Sequence, residues 1–358
     1  MLEARVAVKN LQAYCPPLAG RQGLRLDFNE STDGCSPRVL ACLRSLDAEA
    51  LAKYPERASV EAQVAHFLDL DPLQVLLTNG VDEAIHLICS TFLEAGDEAL
   101  IVVPTFAMYG IFASAEGAKV VEVPAGEDFA FPLSDLLGKI TERTRFIAVA
   151  NPNNPTGAAV RHDLLLQIAQ AAPHAALLVD EAYFEFHGET LIDHVGSVPN
   201  LFIARTFSKA YGLAGLRCGI LAGPVDQICA VRRVASPYNV NAIALAVLPA
   251  ALGDQQYVDH YATEVRHNRD LLQQELRRLG LQYWPSRANF ILVRIGEAHA
   301  KFVAALRARG ILVRDRTSDP GCAGCVRLTI GSNQHTHTLI SAVREVVAEL
   351  DLPRKVQA

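Results

Sequence analysis

Short apolar segments alternate with amphipathic segments between residues 61 and 221, and this alternation predicts the fold class. The β-rich and nearly continuous apolar segments are EALIVVP, AKVVEVP, TRFIAVA, HAALLVD and NLFIART. Runs of this kind are typical of strands that are buried on both faces between helices. The segments SVEAQVAHFLDL and VDEAIHLICSTFLEA have helical spacing. The pattern predicts an α/β fold, with a large domain whose mostly parallel sheet lies between helices.

The pattern changes after Pro237, where a second, smaller α+β domain is predicted. Helical spacing continues through NAIALAVLPAAL, YVDHYATEVRHNRDLLQQELRRLG and THTLISAVREVVAELDL, and the strand-like segments between them are ANFILVRI, GILVRD and CVRLTIG. We expect residues 1–40 to form an irregular N-terminal arm and part of the small domain. Residues 41–240 then form the large domain, and residues 241–358 form the small C-terminal domain.

Polar motifs follow three of the predicted strands directly. NPNNPTG comes after FIAVA, DEAY after ALLV, and TFSK after LFIAR. Ligands of open α/β sheets bind at the carboxyl ends of the strands. We therefore expect these three motifs to meet at one site.

Composition and charge exclude several classes of function. The chain has 358 residues, half of them apolar and a fifth charged, with a net charge of -6. A nucleic-acid partner would require a basic surface, which this charge does not favour. The N-terminus MLEARVAVKN has no apolar stretch typical of a signal peptide. The longest apolar run, residues 242–252, is far shorter than the ~20 residues that cross a bilayer. We predict a cytoplasmic protein that does not bind membranes.

Common signatures of metal and nucleotide chemistry are missing from the sequence. There is no G-x-G-x-x-G, G-x-x-x-x-G-K-[ST], H-E-x-x-H or G-x-S-x-G motif. The eight cysteines include one C-x-x-C pair, Cys322 and Cys325, without the second pair that a zinc site would need. We interpret the cysteines as reduced thiols and predict no metal site.

The segment TFSKAYGLAGLRCGI places Lys209 among small and apolar residues. A lysine in a partly dry site can lose its proton and become a nucleophilic amine. Asp180 ends the strand ALLVD, where it could cap a helix that begins in EAYFEF. Its other interpretation is an anion beside the pyridine nitrogen of pyridoxal phosphate, which allows the ring to take up electrons. Lys209 would then form a Schiff base with the cofactor aldehyde and later carry a proton.

The same region offers groups that suit the remainder of this cofactor. The hydroxyls of Thr206 and Ser208 and the guanidinium of Arg217 are typical phosphate ligands. The segment TNGVDEAI would add backbone amides at a helix N-terminus. Tyr183 and Asn154 could bind the phenolic oxygen of the ring. Phe106, in PTFAMY, either stacks on the ring or packs in an ordinary core.

At this point the chain resembles a known family. NPNNPTG, DEAYFEF, TFSKAYGLAGLRCG and VRLTIGS, in this order, look like the fold-type I pyridoxal phosphate enzymes of the class I/II aminotransferase group. KYPE, GVDEAI and GILVRDR narrow the resemblance to the histidinol-phosphate aminotransferases. The resemblance covers nearly the whole chain and implies the pyridoxal phosphate-dependent transferase fold.

The resemblance implies roles for residues around the cofactor. Lys209 would be the Schiff-base lysine, Asp180 would pair with the pyridine nitrogen, and Tyr183 would bind the ring oxygen together with Asn154. The cofactor phosphate would be held by Val81, Asp82, Thr206, Ser208 and Arg217. Tyr54 would reach the cofactor phosphate of a partner subunit, which implies a homodimer with shared active sites.

The resemblance also implies a reaction, in which L-histidinol phosphate and 2-oxoglutarate give imidazole-acetol phosphate and L-glutamate in histidine biosynthesis. Arg327 would bind the α-carboxylate of glutamate. Tyr14, Asn29, Asn154 and Arg314 would help to bind the amino donor, and arginine forks suit both carboxylate and phosphate. Arg316 lies close by in sequence and is a weaker candidate than Arg327.

The chain departs from the subgroup at two places, and other functions stay open. STDGCSP follows FNE where an Asn-Pro and a Gly-Pro turn are usual, and Phe106 stands where tyrosine is common. One alternative is an aromatic amino acid aminotransferase. Another is threonine-phosphate decarboxylase, a lyase on the same scaffold. A regulatory cofactor-binding module would need a fused DNA-binding segment, for which the N-terminus has no room.

Overall fold

The computed structural model describes residues 2–9 and 11–352. The strands are β1 (Leu24–Leu26), β2 (Val75–Thr78), β3 (Glu98–Val103), β4 (Lys119–Pro124), β5 (Thr144–Ala150), β6 (Ala176–Asp180), β7 (Leu201–Thr206), β8 (Gly219–Ala222), β9 (Gln282–Tyr283), β10 (Phe290–Arg294), β11 (Ile311–Asp315) and β12 (Cys325–Thr329).

The α-helices surround these strands and connect them. They are α1 (Val6–Lys9), α2 (Pro37–Ser45), α3 (Ala48–Ala52), α4 (Ala58–Phe67), α5 (Gly80–Phe92), α6 (Met108–Ala115), α7 (Leu133–Gly138), α8 (His162–Ala171), α9 (Phe184–His187), α10 (Val225–Arg232), α11 (Ala242–Leu252), α12 (Gln255–Arg278), α13 (His299–Ala308) and α14 (Asn333–Glu349). In the described ranges, no helix is both long and apolar enough to pass through a membrane.

The larger sheet has seven strands in the order β2-β8-β7-β6-β5-β3-β4. Strands β3 to β7 pair in parallel with one another, whereas β8 is antiparallel to both of its neighbours, β2 and β7. The five apolar segments of the sequence correspond to β3–β7. The prediction of an α/β fold with a mostly parallel sheet is confirmed.

The central strands are apolar throughout because successive side chains enter different cores. Phe146 and Leu178 pack into the core that contains α5 and α6. Ile147 and Leu177 pack into the core on the opposite face, with α8. All four side chains are fully buried. Burial on both faces removes the alternation of apolar and polar residues that a one-sided sheet would have.

The smaller sheet has five strands in the order β1-β11-β12-β10-β9. Its first strand comes from the N-terminal segment, where Leu24 pairs with Ile311 in a parallel register. We expected an irregular arm and part of the small domain there, and residues 24–26 form a short strand of the small sheet. Three residues are too few to show a period of two, so the pairing depends on the distant β11.

Candidate active site

A cavity of about 1100 Å³ is lined by residues of both sheets and of the N-terminal segment. Asp180 and Thr206 end β6 and β7 at its floor, and Asn154 follows β5, as the rule for ligand sites in such sheets predicts. Fourteen of the fifteen site residues that the sequence predicts line this cavity. They are Tyr14, Asn29, Val81, Asp82, Phe106, Asn154, Asp180, Tyr183, Thr206, Ser208, Lys209, Arg217, Arg314 and Arg327.

Lys209 lies half-buried in the floor of this cavity. Its Nζ donates to the backbone carbonyl oxygen of Phe28 at 3.0 Å. Burial disfavours the ammonium form, and the positive charge of Arg327 adds to this, so the pKa of Lys209 falls to about 8. A larger share of this amine is therefore neutral near physiological pH than for an ordinary lysine.

Asp180 is buried, and both of its carboxylate oxygens have donors. The hydroxyl of Tyr109 donates to Oδ2 at 2.5 Å, and the amide of Ala182 donates to Oδ1 at 3.0 Å. Burial raises the pKa of Asp180 to about 6, against the effect of these two hydrogen bonds. Helix α9 begins after Tyr183, so the interpretation of Asp180 as a helix cap is wrong. The carboxylate faces the cavity.

A second group of donors forms a pocket beside the N-terminus of α5. The hydroxyl of Thr206 donates to Ser208 Oγ at 2.9 Å, and Ser208 N donates back to Thr206 Oγ1 at 3.1 Å. The guanidinium of Arg217 donates to Asp82 at 2.9 Å. A Cβ placed on Gly80 would lie only 2.5 Å from this guanidinium. Hydroxyls, an arginine and a helix N-terminus make up a donor set that fits a phosphate.

The N-terminal segment 27–29 crosses the opposite side of the cavity. The amide of Asn29 donates to the hydroxyl oxygen of Tyr183 at 2.9 Å. Arg327 donates to the carbonyl oxygen of Asp27 at 2.7 Å and also to Oδ1 of Asn154. The Nδ2 group of Asn154 thus stays available as a donor toward the cavity. The backbone carbonyls of this segment thus hold Lys209 and Arg327, and its Asn29 side chain holds Tyr183.

Two arginines of the small sheet face the cavity without an acidic partner. Arg314 and Arg327 lie directly opposite each other on β11 and β12. Within residues 2–9 and 11–352, neither forms an ion pair, whereas Arg316 pairs with Asp319. Burial, together with the charges of Arg316 and Arg314, lowers the pKa of Arg327 to about 10. Like charges placed directly opposite repel each other, so this pair is a ready site for an anion.

Four aromatic residues, Tyr14, Phe28, Phe106 and Tyr109, also line the cavity. Phe106 contacts Tyr14 edge-on, with ring centroids 6.4 Å apart, and Tyr109 in the same way at 5.9 Å. Phe28 lies between the guanidinium groups of Arg314 and Arg21, at 5.1 and 4.3 Å from its ring centroid. The face of Phe106 is left for a planar ligand.

Tyr54 is the one predicted site residue that lies outside this cavity. Its side chain is 78% exposed and stacks on Tyr238, which is 57% exposed, with ring centroids 4.2 Å apart. Two exposed, stacked tyrosines form an apolar patch on the surface of the single chain.

The sequence interpretation missed two residues of the site. Tyr109 contacts Asp180, and Phe28 offers its carbonyl to Lys209 and its ring to the arginines. A signal for Tyr109 existed, because it follows Phe106 by only three positions in PTFAMY. No such signal existed for Phe28, whose role depends on a backbone carbonyl.

Cys322 and Cys325 lie outside the active-site lining. Both are buried, and Cys325 N donates to Cys322 O at 2.9 Å in a tight turn. They pack with Trp284 and Leu292 in a small apolar cluster. In the part of the chain that the structure describes, no three His, Cys, Asp or Glu side chains are placed to hold a metal ion.

Comparison with known proteins agrees with this chemistry. The family model for "Aminotransferase class I and II" matches residues 21–343. Histidinol-phosphate aminotransferase of Roseiflexus castenholzii is 34% identical over 364 residues, which cover 96% of this chain and 97% of that protein. Histidinol-phosphate aminotransferase 1 of Trichormus variabilis is 31% identical over 96% of this chain and 98% of its own length.

A solved structure has the same fold. Histidinol-phosphate aminotransferase from Sinorhizobium meliloti, in complex with pyridoxal-5'-phosphate, superposes with a TM-score of 0.88. It is 26% identical, and the match covers 98% of this chain and 99% of that one. The resemblance that the sequence motifs suggested is confirmed: this chain belongs to the class I and II aminotransferase family.

Proposed function

We propose that this chain is a pyridoxal phosphate-dependent aminotransferase that transfers the amino group of L-histidinol phosphate to 2-oxoglutarate. The products are imidazole-acetol phosphate and L-glutamate. One observation carries the proposal. The cavity that contains the Lys209 amine, whose pKa is lowered, also contains two separate anion sites. One is the pocket of Thr206, Ser208 and Arg217, and the other is the arginine pair of the small sheet.

The donor set of the cavity fits pyridoxal phosphate. When bound, this cofactor supplies an aldehyde and a ring that takes up the electrons of a substrate carbanion. Asp180 would hold the proton on the pyridine nitrogen, and Phe106 would cover one ring face. Tyr183 and Asn154 would bind the ring oxygen, and Val81 and Asp82 would line the phosphate end.

Lys209 has two tasks in this proposal. Its neutral amine would be the nucleophile that holds the cofactor aldehyde. When Nζ is free of the cofactor, it would take up and give back the proton of the substrate carbon, as a general base and acid. A pKa of about 8 suits both directions, since the group can gain or lose a proton near neutral pH.

The second anion site favours a phosphorylated amino donor that alternates with a dicarboxylate. Arg314 and Arg327 offer guanidinium groups that no acidic side chain among the described residues neutralises. A planar guanidinium can bind either phosphate or carboxylate in a bidentate way. The same pair can therefore serve histidinol phosphate and then glutamate. Tyr14 and Asn29 would contact the remainder of the donor.

We further propose that the enzyme works in the cytoplasm as a homodimer with shared active sites. The exposed stack of Tyr54 and Tyr238 supports this, because an apolar patch of this kind suits a subunit interface. Tyr54 would then reach the cofactor phosphate of the partner subunit. The separate sheets support a large domain over residues 41–240 and a small domain of residues 241–358 with part of residues 1–40.

A panel of amino donors tests the substrate. The purified protein, loaded with pyridoxal phosphate, is mixed with L-histidinol phosphate, L-phenylalanine or L-threonine phosphate, and the cofactor absorbance is followed. We expect L-histidinol phosphate to convert the cofactor to its amine form and 2-oxoglutarate to restore it. Conversion by L-phenylalanine alone would identify an aromatic aminotransferase. Release of carbon dioxide from L-threonine phosphate would identify a lyase.

A further inference from the structure

Tyr109 is a buried polar residue to which neither the family motifs nor the proposed mechanism gives a task. It is the second residue of α6, and its side chain is fully buried. Its hydroxyl donates to Oδ2 of Asp180 at 2.5 Å across 71 positions of sequence. Its ring also meets the ring of Phe106 edge-on at a centroid distance of 5.9 Å, nearly at right angles. Tyr109 thus contacts both groups that would hold the cofactor ring.

The remaining contacts of Asp180 show why this hydrogen bond matters. Oδ1 accepts from the amide of Ala182, which fixes one oxygen but leaves the other free to rotate out of position. The buried carboxylate also faces the negative charges of Asp82 and Glu181, and both charges act against its ionised form. The hydroxyl of Tyr109 is the side-chain donor that opposes them.

We propose that Tyr109 is a positioning residue for the cofactor: its hydroxyl keeps Asp180 ionised and aimed at the pyridine nitrogen. This inference rests on the proposed function, because it takes Asp180 as the ring partner of pyridoxal phosphate. A buried hydrogen bond to a charged group contributes more than one between neutral groups, so the effect should be measurable.

The direction of the effect follows from the protonation states. Burial and the charge of Asp180 raise the pKa of Tyr109, so the hydroxyl stays a donor. Burial already raises the pKa of Asp180 to about 6, and loss of the Tyr109 bond would raise it further. A protonated Asp180 cannot pair with a protonated pyridine nitrogen. As the pH is lowered, Asp180 becomes protonated and cofactor affinity falls. Without the Tyr109 hydroxyl, this fall should begin at a higher pH than in the parent protein.

The test uses Tyr109→Phe, which keeps the ring and removes the hydroxyl. Dissociation constants of pyridoxal phosphate are measured by titration of the apoprotein between about pH 5 and pH 9, where Asp180 titrates. We expect weaker binding by about tenfold or more near pH 6, and a smaller difference at the alkaline end. At each pH, the dissociation constant of Tyr109→Phe is divided by that of the parent protein. This ratio removes the effect of other groups that titrate equally in both proteins.

Tyr261→Phe is the matched control, because Tyr261 is also buried and its hydroxyl oxygen accepts from the amide of Thr32 at 3.2 Å. Tyr261→Phe should bind pyridoxal phosphate with the same dissociation constant as the parent protein at every pH. A second comparison places Tyr109→Phe in an Asp180→Asn background, where the hydroxyl should no longer matter. A ratio that is the same at every pH, or an unchanged loss in the Asn background, would overturn the role of Tyr109.

The two hypotheses fail in different ways. If the parent protein does not retain pyridoxal phosphate on Lys209 after borohydride reduction, as read by peptide mass, the proposed function is wrong. If the parent protein retains it and Tyr109→Phe binds the cofactor equally well across the pH range, only the positioning role is wrong.

Discussion

At the scale of single residues, the chemistry of this site depends on taking charged groups out of water. Lys209 and Arg327 both have lowered pKa values, and Asp180 has a raised one, with burial as the first cause in each case. Burial always disfavours the charged form, so it pushes bases and acids in opposite directions. The result is an amine that loses its proton more easily than an ordinary lysine, in the same cavity as a carboxyl group whose pKa is raised to about 6.

The titration of Lys209 gives a prediction for cofactor capture. Below pH 8 the amine is mostly protonated and not nucleophilic, so the rate of pyridoxal phosphate attachment to the apoprotein should rise with pH around a midpoint near 8. Arg327→Gln removes a positive charge that lowers this pKa, and the midpoint should move upward. Stopped-flow absorbance measures the rate. Arg309→Gln, an exposed change far from the cavity, is the control and should leave the midpoint in place.

A midpoint close to the ordinary lysine pKa in the parent protein would contradict this account.

The lowered pKa of Lys209 also affects the stability of the fold between about pH 8 and pH 10. The folded protein releases the Lys209 proton near pH 8, whereas the unfolded chain retains it up to about 10.4. The unfolded state therefore binds more protons in this window, and the contribution of Lys209 to stability increases as pH rises through it.

Sequence reasoning found the residues with a distinctive chemical type but missed their partners. Lys209 and Asp180 could be recognised because a lone lysine among small residues and an aspartate at a strand end are unusual. Tyr109 could not be linked to Asp180, since the 71 positions between them are bridged only by the fold. The hydrogen bond from Lys209 to Phe28 spans 181 positions and ends on a backbone carbonyl, which leaves no trace in the sequence.

At the scale of elements, the start of α5 brings the phosphate pocket together. Gly80 opens this helix with a positive φ of 74°, and its missing side chain leaves room for the guanidinium of Arg217. Arg217 itself has a φ of 54°, an uncommon value for a residue with a side chain. Two elements distant in sequence thus adopt unusual backbone conformations at one point, where the proposed function has them hold the cofactor phosphate.

Gly80→Ala tests this arrangement. The new Cβ would lie 2.5 Å from the guanidinium of Arg217 and displace it. Loss of one charge-assisted hydrogen bond costs about 1.5–3 kcal/mol, so the affinity for pyridoxal phosphate should fall by roughly 10- to 150-fold. Titration of the apoprotein with the cofactor measures this. An unchanged affinity would show that Arg217 does not contact the phosphate.

Gly310→Ala is the matched control for backbone strain. Gly310 has the same φ of 74°, but a Cβ there would meet nothing within 4 Å. Both variants should lose about 1–2 kcal/mol of stability from the left-handed conformation. Thermal unfolding measures that loss, and only Gly80→Ala should also lose cofactor affinity.

The sequence predicted the strands that are long enough to show an apolar pattern of their own. Strands β3 to β7 are five to seven residues long and mostly apolar, and they were all predicted. Strands β1, β2 and β8 have three or four residues and were missed. β8 also begins in a glycine-rich segment, and its place beside β2 and β7 depends on pairing with both. Short strands are specified by their neighbours rather than by their own residues.

At the scale of the whole molecule, the N-terminal segment connects the two sheets through the active site. β1 belongs to the small sheet, and the residues after it contact Lys209, Tyr183 and Arg327. This part of the cavity is therefore built from residues that are far apart in sequence. Any shift of the small sheet would move Arg314 and Arg327 together, since they face each other across one strand pair.

Mixing experiments test whether two copies of the chain complete each site. Tyr54 is exposed and outside the cavity of its own chain, whereas Lys209 lines that cavity. If Tyr54 serves the partner subunit, Tyr54→Ala mixed with Lys209→Ala should regain aminotransferase activity after subunit exchange, because one site in the mixed dimer has both residues. Glutamate formation from histidinol phosphate and 2-oxoglutarate measures the recovery.

Phe106→Ala mixed with Lys209→Ala is the matched control for this exchange. Phe106 and Lys209 line the same cavity of one chain, so each site in a mixed dimer would still lack one of them. This pair should stay inactive under conditions in which the Tyr54 pair recovers. Equal recovery by both pairs would mean that the sites are not divided in this way. No recovery by either pair, with subunit exchange shown by a tag on one variant, would assign Tyr54 to its own chain's surface alone.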